Sequence, residues 1–213
     1  MREAFRHDDG LGHSILVMNI GIDIDGVLND LQGFNQKHAP PFFKRRFGRE
    51  VADGAQCDIR DIFECPDKEW MLYWRKYLLK YATVEPARAG AKPFVKKLIG
   101  DGHKVYIISK RAFSFRKDLL GKLMRAVVRN WLWRNGIPYS EVIFCDHDDP
   151  DSKKTACVEK RIDVLIDDDP VNIVSVAPIA RVICFDATYN RECDAENTFR
   201  AKGFEEAYGL ISP

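Results

Sequence analysis

Five short, nearly continuous apolar runs limit what this chain can fold into. They lie at residues 17–24, 103–108, 142–145, 163–166 and 181–185. A run that alternates with polar residues buries one face of a strand, whereas an unbroken run buries both. Helical patterns separate the runs. Residues 91–100 place Phe94, Val95 and Leu98 on one face and stop at Gly102, a helix-ending residue. Residues 114–135 place Leu120, Leu123, Met124, Val127, Trp131 and Leu132 on one stripe, with Lys117, Lys122, Arg125 and Arg129 opposite, a solvated face in the plainest reading. Strands alternating with helices predict an α/β fold: a Rossmann-like parallel sheet of about five strands, flanked by helices.

The alternation breaks once. Residues 30–88 hold no convincing strand but carry a helical pattern over 67–81, and Pro86 and Gly90 mark the return to the sheet. At 213 residues the chain fits one domain with one sizeable insertion. The expected division is a leader over 1–16, an α/β core over 17–29 and 89–213, and a mostly helical insertion over 30–88. Lys and Arg number 33 and Asp and Glu 32, and the pI is near 7.6. Dedicated nucleic-acid binders usually lie above about 9, so no specific nucleic-acid partner is expected. The early apolar runs fall far short of the ~20 residues of a membrane span, so no membrane partner is expected either. Six cysteines without a CxxC pair or zinc spacing read as reduced thiols of a cytoplasmic protein.

The chemistry sits at the ends of the apolar runs. The first ends in Asp23-Ile24-Asp25-Gly26. Strand alternation puts Asp23 and Asp25 on one side, at the carboxyl end where open α/β sheets bind ligands. Two carboxylates emerging together need a cation, or one must hold a proton. A calcium loop would want further acids at fixed offsets and no buried strand in front. A purely structural pair would be costly behind a hydrophobic strand. The run Val164-Leu165-Ile166 leads into Asp167-Asp168-Asp169-Pro170. Asp169 suits a helix N-cap before proline. Asp167 and Asp168 complete an oxygen-ligand site suited to Mg²⁺. After the second run, Ser109, Lys110 and Arg111 offer a hydroxyl, backbone N–H groups and positive charge to a phosphate oxygen. Lys153 or Lys154, adjacent at a helix start, can offset the carboxylates and grip phosphate as a point charge.

This ordered set of strand-DxDG, insertion, strand-Ser, Lys and strand-DDD resembles the haloacid dehalogenase (HAD) superfamily of phosphatases over most of residues 18–186. Asp58-Ile59, Phe63, Trp74, Tyr77, Tyr81, Pro86, Arg88, Gly90 and the 102–108 stretch resemble its 5′(3′)-deoxyribonucleotidase-like branch, as do Trp131-Leu132 and Ile162 through Asp168. The resemblance implies that Asp23 is a nucleophile forming an aspartyl-phosphate, and that Asp25 protonates the leaving oxygen and then activates water. It implies that Ser109 holds a phosphoryl oxygen and that Lys153, or Lys154, steadies nucleophile and phosphate. Mg²⁺ would be held by Asp23, the Asp25 carbonyl and Asp168, with Asp167 behind them or in place of Asp168. The branch usually carries Thr-Ala-Arg where this chain has Ser109-Lys110-Arg111, and Thr where it has Val128; fine specificity is what those departures touch.

An insertion after the first motif is, in that superfamily, a cap that selects substrate. Trp70, Trp74, Tyr77 and Tyr81 fall on one helical stripe; they could stack a nucleobase or form the cap's own core. Phe42, Phe43, Lys44, Arg45, Arg46 and Arg49 read as a solvated face or a phosphate grip, and the acidic loop 146–151 as solvated. The expected function is a Mg²⁺-dependent hydrolase of a nucleoside or deoxynucleoside 5′-monophosphate, acting as a monomer or homodimer. Lys110, Arg111, Trp74 and Tyr77 are the expected substrate contacts. A sugar phosphate or other small metabolite is the alternative substrate. A non-catalytic ligand-binding module would have lost Asp23, Asp25, Ser109 or the lysine, and all are present.

Overall fold

Six parallel strands form the central sheet of the computed structural model, which describes the backbone over residues 6–8 and 14–211 and side chains over 16–211. A short antiparallel pair, β1 (Arg6–Asp8) with β2 (Ser14–Leu16), precedes the sheet. The remainder of the expected leader lies outside the described residues. The sheet comprises β3 (Asn19–Ile22), β4 (Lys104–Ser109), β5 (Glu141–Phe144), β6 (Val164–Asp167), β7 (Arg181–Phe185) and β8 (Thr198–Ala201), in the order β5-β4-β3-β6-β7-β8. The five apolar runs all become strands. The sixth, β8, has only Ala201 buried. It lies at the sheet edge, where no continuous apolar run is required.

Alternate strand residues feed two cores. Ile20, Ile22, Val105, Ile107, Val164, Ile166 and Ile183 pack on one face, under α4 (Ala91–Gly100), α5 (Leu119–Arg134) and α8 (Phe204–Ile211). Ile108, Leu165, Val182 and Cys184 pack on the other, under α6 (Ser152–Lys160) and α7 (Pro170–Val176). Helix α5 differs from the expected stripe. It buries Met124, Val128, Trp131 and Leu132 but turns Leu120 and Leu123 outward. The core-facing stripe starts at Gly121, which has no side chain to mark it in the sequence; a Cβ there would stand 1.9 Å from the Arg116 carbonyl oxygen.

Between β3 and α4 the chain forms α1 (Leu31–Phe47), α2 (Ile59–Phe63) and α3 (Asp67–Val84). These share a separate aromatic core, in which Phe43 stacks on Phe63 with ring centroids 4.4 Å apart. Phe42 and Phe43 are therefore buried rather than on a surface patch, while Arg49 pairs with Glu69 at 2.6 Å and Lys44 with Glu50 at 2.8 Å. Chain order reverses at β3, which has β4 on one side and β6 on the other. Such a reversal opens a crevice at the carboxyl ends of the strands. Asp23, Ser109 and Asp167 are delivered there side by side.

Candidate active site

Asp23 directly follows β3 in extended conformation, and its N–H donates to the Ile166 carbonyl at 3.0 Å. The chain then turns through Ile24–Leu28. Gly26 makes the turn possible, with φ +88°; a Cβ there would stand 1.9 Å from Asp168 Oδ2. A side chain at this position would both strain the backbone and collide with the acidic cluster.

Lys153 is the second residue of α6 and is only 1% exposed. Its Nζ lies 2.8 Å from Asp23 Oδ1 and donates to Asp167 Oδ2 at 2.6 Å. The neighbouring Lys154 is half-exposed, so Lys153 is the lysine that reaches the carboxylates. Asp167 is fully engaged, because its Oδ1 also accepts from the Asp169 N–H at 3.1 Å and Asn172 Nδ2 at 3.2 Å. Asp168 is not. Its Oδ2 accepts from the Tyr189 hydroxyl, and its Oδ1 is buried without any partner. Asp169 caps α7, accepting from the Val171 N–H at 2.9 Å.

Asp23, Asp167 and Asp168 each bring an oxygen to within 4.8 Å of the others. Burial pushes Asp23 up to about 7 against the pull of Lys153, with the Asp167 and Asp25 charges adding to the rise. Burial, then the charges of Asp167 and Asp23, hold Asp168 well above the usual carboxylate range. Burial works against the charge on Lys153, but Asp167 and Asp23 outweigh it and keep the amine protonated. Three buried carboxylates against one lysine leave negative charge to be offset. An all-oxygen donor set with an orphaned Asp168 oxygen fits a hard divalent cation.

Asp25 stands apart from this trio. Its Oδ1 accepts from the Arg111 guanidinium, the Tyr81 hydroxyl and Asn29 Nδ2, and its Oδ2 from Arg111 Nε at 3.2 Å. Burial pushes its carboxyl up, but the Arg111 charge and these hydrogen bonds prevail and hold it below the ordinary value. Ser109 is fully buried, and its Oγ accepts from the Arg111 N–H at 3.1 Å. Arg111 retains one buried nitrogen, Nη1, with no partner.

The strand ends thus bring together Asp23, Asp25, Ser109, Arg111, Lys153, Asp167 and Asp168. They do not include Lys110, whose Nζ reaches the Pro150 carbonyl at 3.4 Å. Trp74 and Tyr77 are half-buried in the aromatic cluster of the insertion: Trp74 meets Tyr81 edge-on and Tyr77 stacks on His38. Sequence reasoning missed Tyr81 as a site residue, although it lies on the aromatic stripe, and missed Asn29, Tyr189 and Asn190. Asn190 Nδ2 donates to the carbonyls of Asp168 and Phe185, both at 2.8 Å. Tyr189 and Asn190 follow β7, and only the sheet order shows that this strand end neighbours Asp168.

A cavity of about 120 Å³ adjoins the cluster. Tyr189, the partner of Asp168, forms part of its wall. Leu31, Ala39, Ile59 and Phe63 supply an apolar lining, and Gln32, Asn35, Gln36 and Gln56 supply side-chain amides. Trp74 and Tyr77 do not line it.

Comparison with known proteins places this architecture. The fold matches a predicted phosphoglycolate phosphatase from Haemophilus somnus 129PT (TM-score 0.60, 13% identity, 91% of this chain and 97% of that one). It also matches the L-2-haloacid dehalogenase of Xanthobacter autotrophicus (TM-score 0.53, 11% identity, 92% and 98%). The fold is therefore that of the haloacid dehalogenase-like hydrolases. In sequence, the chain is 24% identical over 197 residues to a nucleotidase from Clostridium acetobutylicum, covering 91% of this chain and 93% of the relative. A family model matches residues 16–212, and the chain belongs to that family: 5′ nucleotidase, deoxy (pyrimidine), cytosolic type C protein. It is an enzyme, a phosphatase of the 5′-nucleotidase type.

Proposed function

We propose that the enzyme hydrolyses nucleoside 5′-monophosphates, deoxyribonucleotides included, through a phosphoryl-aspartate on Asp23 with Mg²⁺ as cofactor. The observation that carries this reading is the buried Asp23–Lys153–Asp168 cluster beside an amide-lined cavity. Asp23 attacks phosphorus; the ester P–O bond breaks, and its electron pair leaves on the nucleoside oxygen, which takes a proton from Asp25. Asp25, now a carboxylate, then takes a proton from water as the water oxygen attacks phosphorus. The bond to Asp23 breaks and phosphate leaves. Lys153, Ser109 and Arg111 donate to the phosphoryl oxygens, where charge builds up in the transition state. Asp23, Asp168 and the Asp25 carbonyl would hold Mg²⁺, which would supply positive charge to screen the Asp23 carboxylate from the incoming anion.

The resting geometry suits the second step, because Arg111 and Tyr81 hold Asp25 ionised. A phosphoryl oxygen that draws on the unpartnered Arg111 Nη1 weakens that ion pair and lets Asp25 carry the proton of the first step. Residues 30–88 then act as a cap over the strand ends. The cavity holds about four waters' worth of space at roughly 30 Å³ each, the scale of one flat ring. Its amides can pair with the hydrogen-bonding edge of a base, which a sugar phosphate lacks.

The test is phosphate release from a panel of nucleoside monophosphates and sugar phosphates with Mg²⁺, beside Asp23→Asn. Preference for nucleotides with a dead variant supports the whole reading. Variant-sensitive turnover of sugar phosphates alone would keep the chemistry and overturn the substrate.

A further inference from the structure

Helix α5 has two apolar faces, and the fold buries only one. Met124, Val128, Trp131 and Leu132 point into the core. At about 100° per residue, Leu119, Leu123, Ala126, Asn130 and Trp133 fall on the opposite side. All five are exposed, Leu119 at 81% and Trp133 at 77%. Scattered exposed apolar residues are ordinary, but four along one crest of about 21 Å are not scattered.

Charge flanks this crest. Lys122 and Arg129 run along one side and Arg134 along the other. Residues 115–140 hold six cations and one acid, in a chain whose totals are 33 and 32, so the remainder is net acidic. The single acid, Asp118, caps α5 through the Gly121 N–H at 2.9 Å and pairs with Arg116. The loop leading into α5 exposes Phe113 and Phe115. Phe113 adopts φ +65°, a left-handed conformation costly for a bulky residue. Arg125 Nη1 fixes that loop by donating to the Ser114 and Arg116 carbonyls at 2.7 and 2.6 Å.

We propose that the outward face of α5 docks on an anionic lipid surface. A convex apolar crest with basic flanks fits such a surface: Leu119, Leu123 and Trp133 enter the acyl boundary while Lys122, Arg129 and Arg134 meet headgroup phosphates. The same charges disfavour two copies of α5 meeting about a two-fold axis, where cation would face cation. A nucleic acid would engage the cations but press the crest against phosphates. Among the described residues no helix is long and apolar enough to cross a membrane. The short apolar runs predict no membrane partner, but run length reports on a span and not on a face that lies at the surface.

The test is co-sedimentation of the full chain with vesicles of phosphatidylcholine and phosphatidylglycerol in equal parts, and of phosphatidylcholine alone. Binding is expected to the first only, with release by salt. The triple variant Leu119→Glu, Leu123→Glu, Trp133→Glu should bind at least about tenfold more weakly, and so should Lys122→Glu with Arg129→Glu. Circular dichroism and thermal unfolding check that each variant remains folded. Trp133→Phe should abolish a blue shift in fluorescence on anionic vesicles. Absence of sedimentation, or equal sedimentation of the crest variant, overturns the proposal. So does a concentration-dependent dimer that the crest variant dissolves, which would assign the face to a second copy of the chain.

Discussion

Replacing Lys153 by Met keeps the length of the side chain and removes its charge. The lysine is 1% exposed and lies 2.8 Å from Asp23 and 2.6 Å from Asp167. Removing one partner of a buried ion pair costs about 3–5 kcal/mol, because the other charge is left uncompensated. Two carboxylates share this lysine, so the upper part of that range applies. At roughly 2–4 °C per kcal/mol for a chain of this size, Tm should fall by about 8–20 °C in metal-free protein. Mg²⁺ should recover part of the loss. A ligand that binds only the folded state adds about 2.7 kcal/mol at a hundredfold excess over Kd, and the variant's cluster is the more negative of the two. The assay is calorimetric unfolding of wild type and Lys153→Met, each in chelator and in Mg²⁺. A deficit below about 1 kcal/mol in chelator, the scale of an exposed pair, would contradict a buried lysine shared by two carboxylates. A deficit that Mg²⁺ widens would do the same.

Three further outcomes follow from the same geometry. Asp23 titrates at about 7 in the metal-free fold against 3.8 as its ordinary value. The fold therefore binds a proton that the unfolded chain releases, and stability in chelator should fall as pH rises through that window; urea titrations that show a rise would contradict it. Asp168→Asn should stabilise the metal-free protein, since it removes a carboxyl whose ionisation is opposed by burial and by the charges of Asp167 and Asp23, yet it should erase stabilisation by Mg²⁺ in a thermal-shift titration. Tyr81→Phe removes a hydrogen bond to the Asp25 carboxylate. Such bonds are worth about 1.5–3 kcal/mol, so kcat should drop about 10- to 160-fold with little change in KM, measured by steady-state phosphate release.

The strands were legible because burial on both faces requires unbroken apolar runs, and all five runs became strands. Strand ends were equally legible: Asp23, Asp25, Ser109 and Asp167 were found by following each run to its carboxyl end. Periodicity could not choose between Lys153 and Lys154. That depends on the rotation of α6, which turns one into the cluster and leaves the other half-exposed. It also failed on α5, where the buried stripe begins at Gly121, a residue with no apolar side chain to show in the pattern, and leaves Leu120 and Leu123 exposed. Tyr81, Asn29 and Tyr189 reach the site from a helix of the insertion, a turn and a neighbouring strand end. Their contacts depend on packing between distant segments, and a single sequence carries no periodic signal for that.

In the proposed reaction Asp23 carries the phosphoryl group. Wild-type enzyme mixed with a preferred nucleoside monophosphate and Mg²⁺, quenched in acid within one turnover and digested, can be read by mass spectrometry. One added phosphoryl group is expected on the peptide containing Asp23, absent from Asp23→Asn and lost after chase with water. A label on another residue, or rapid turnover with no labelled peptide at any quench time, would contradict it.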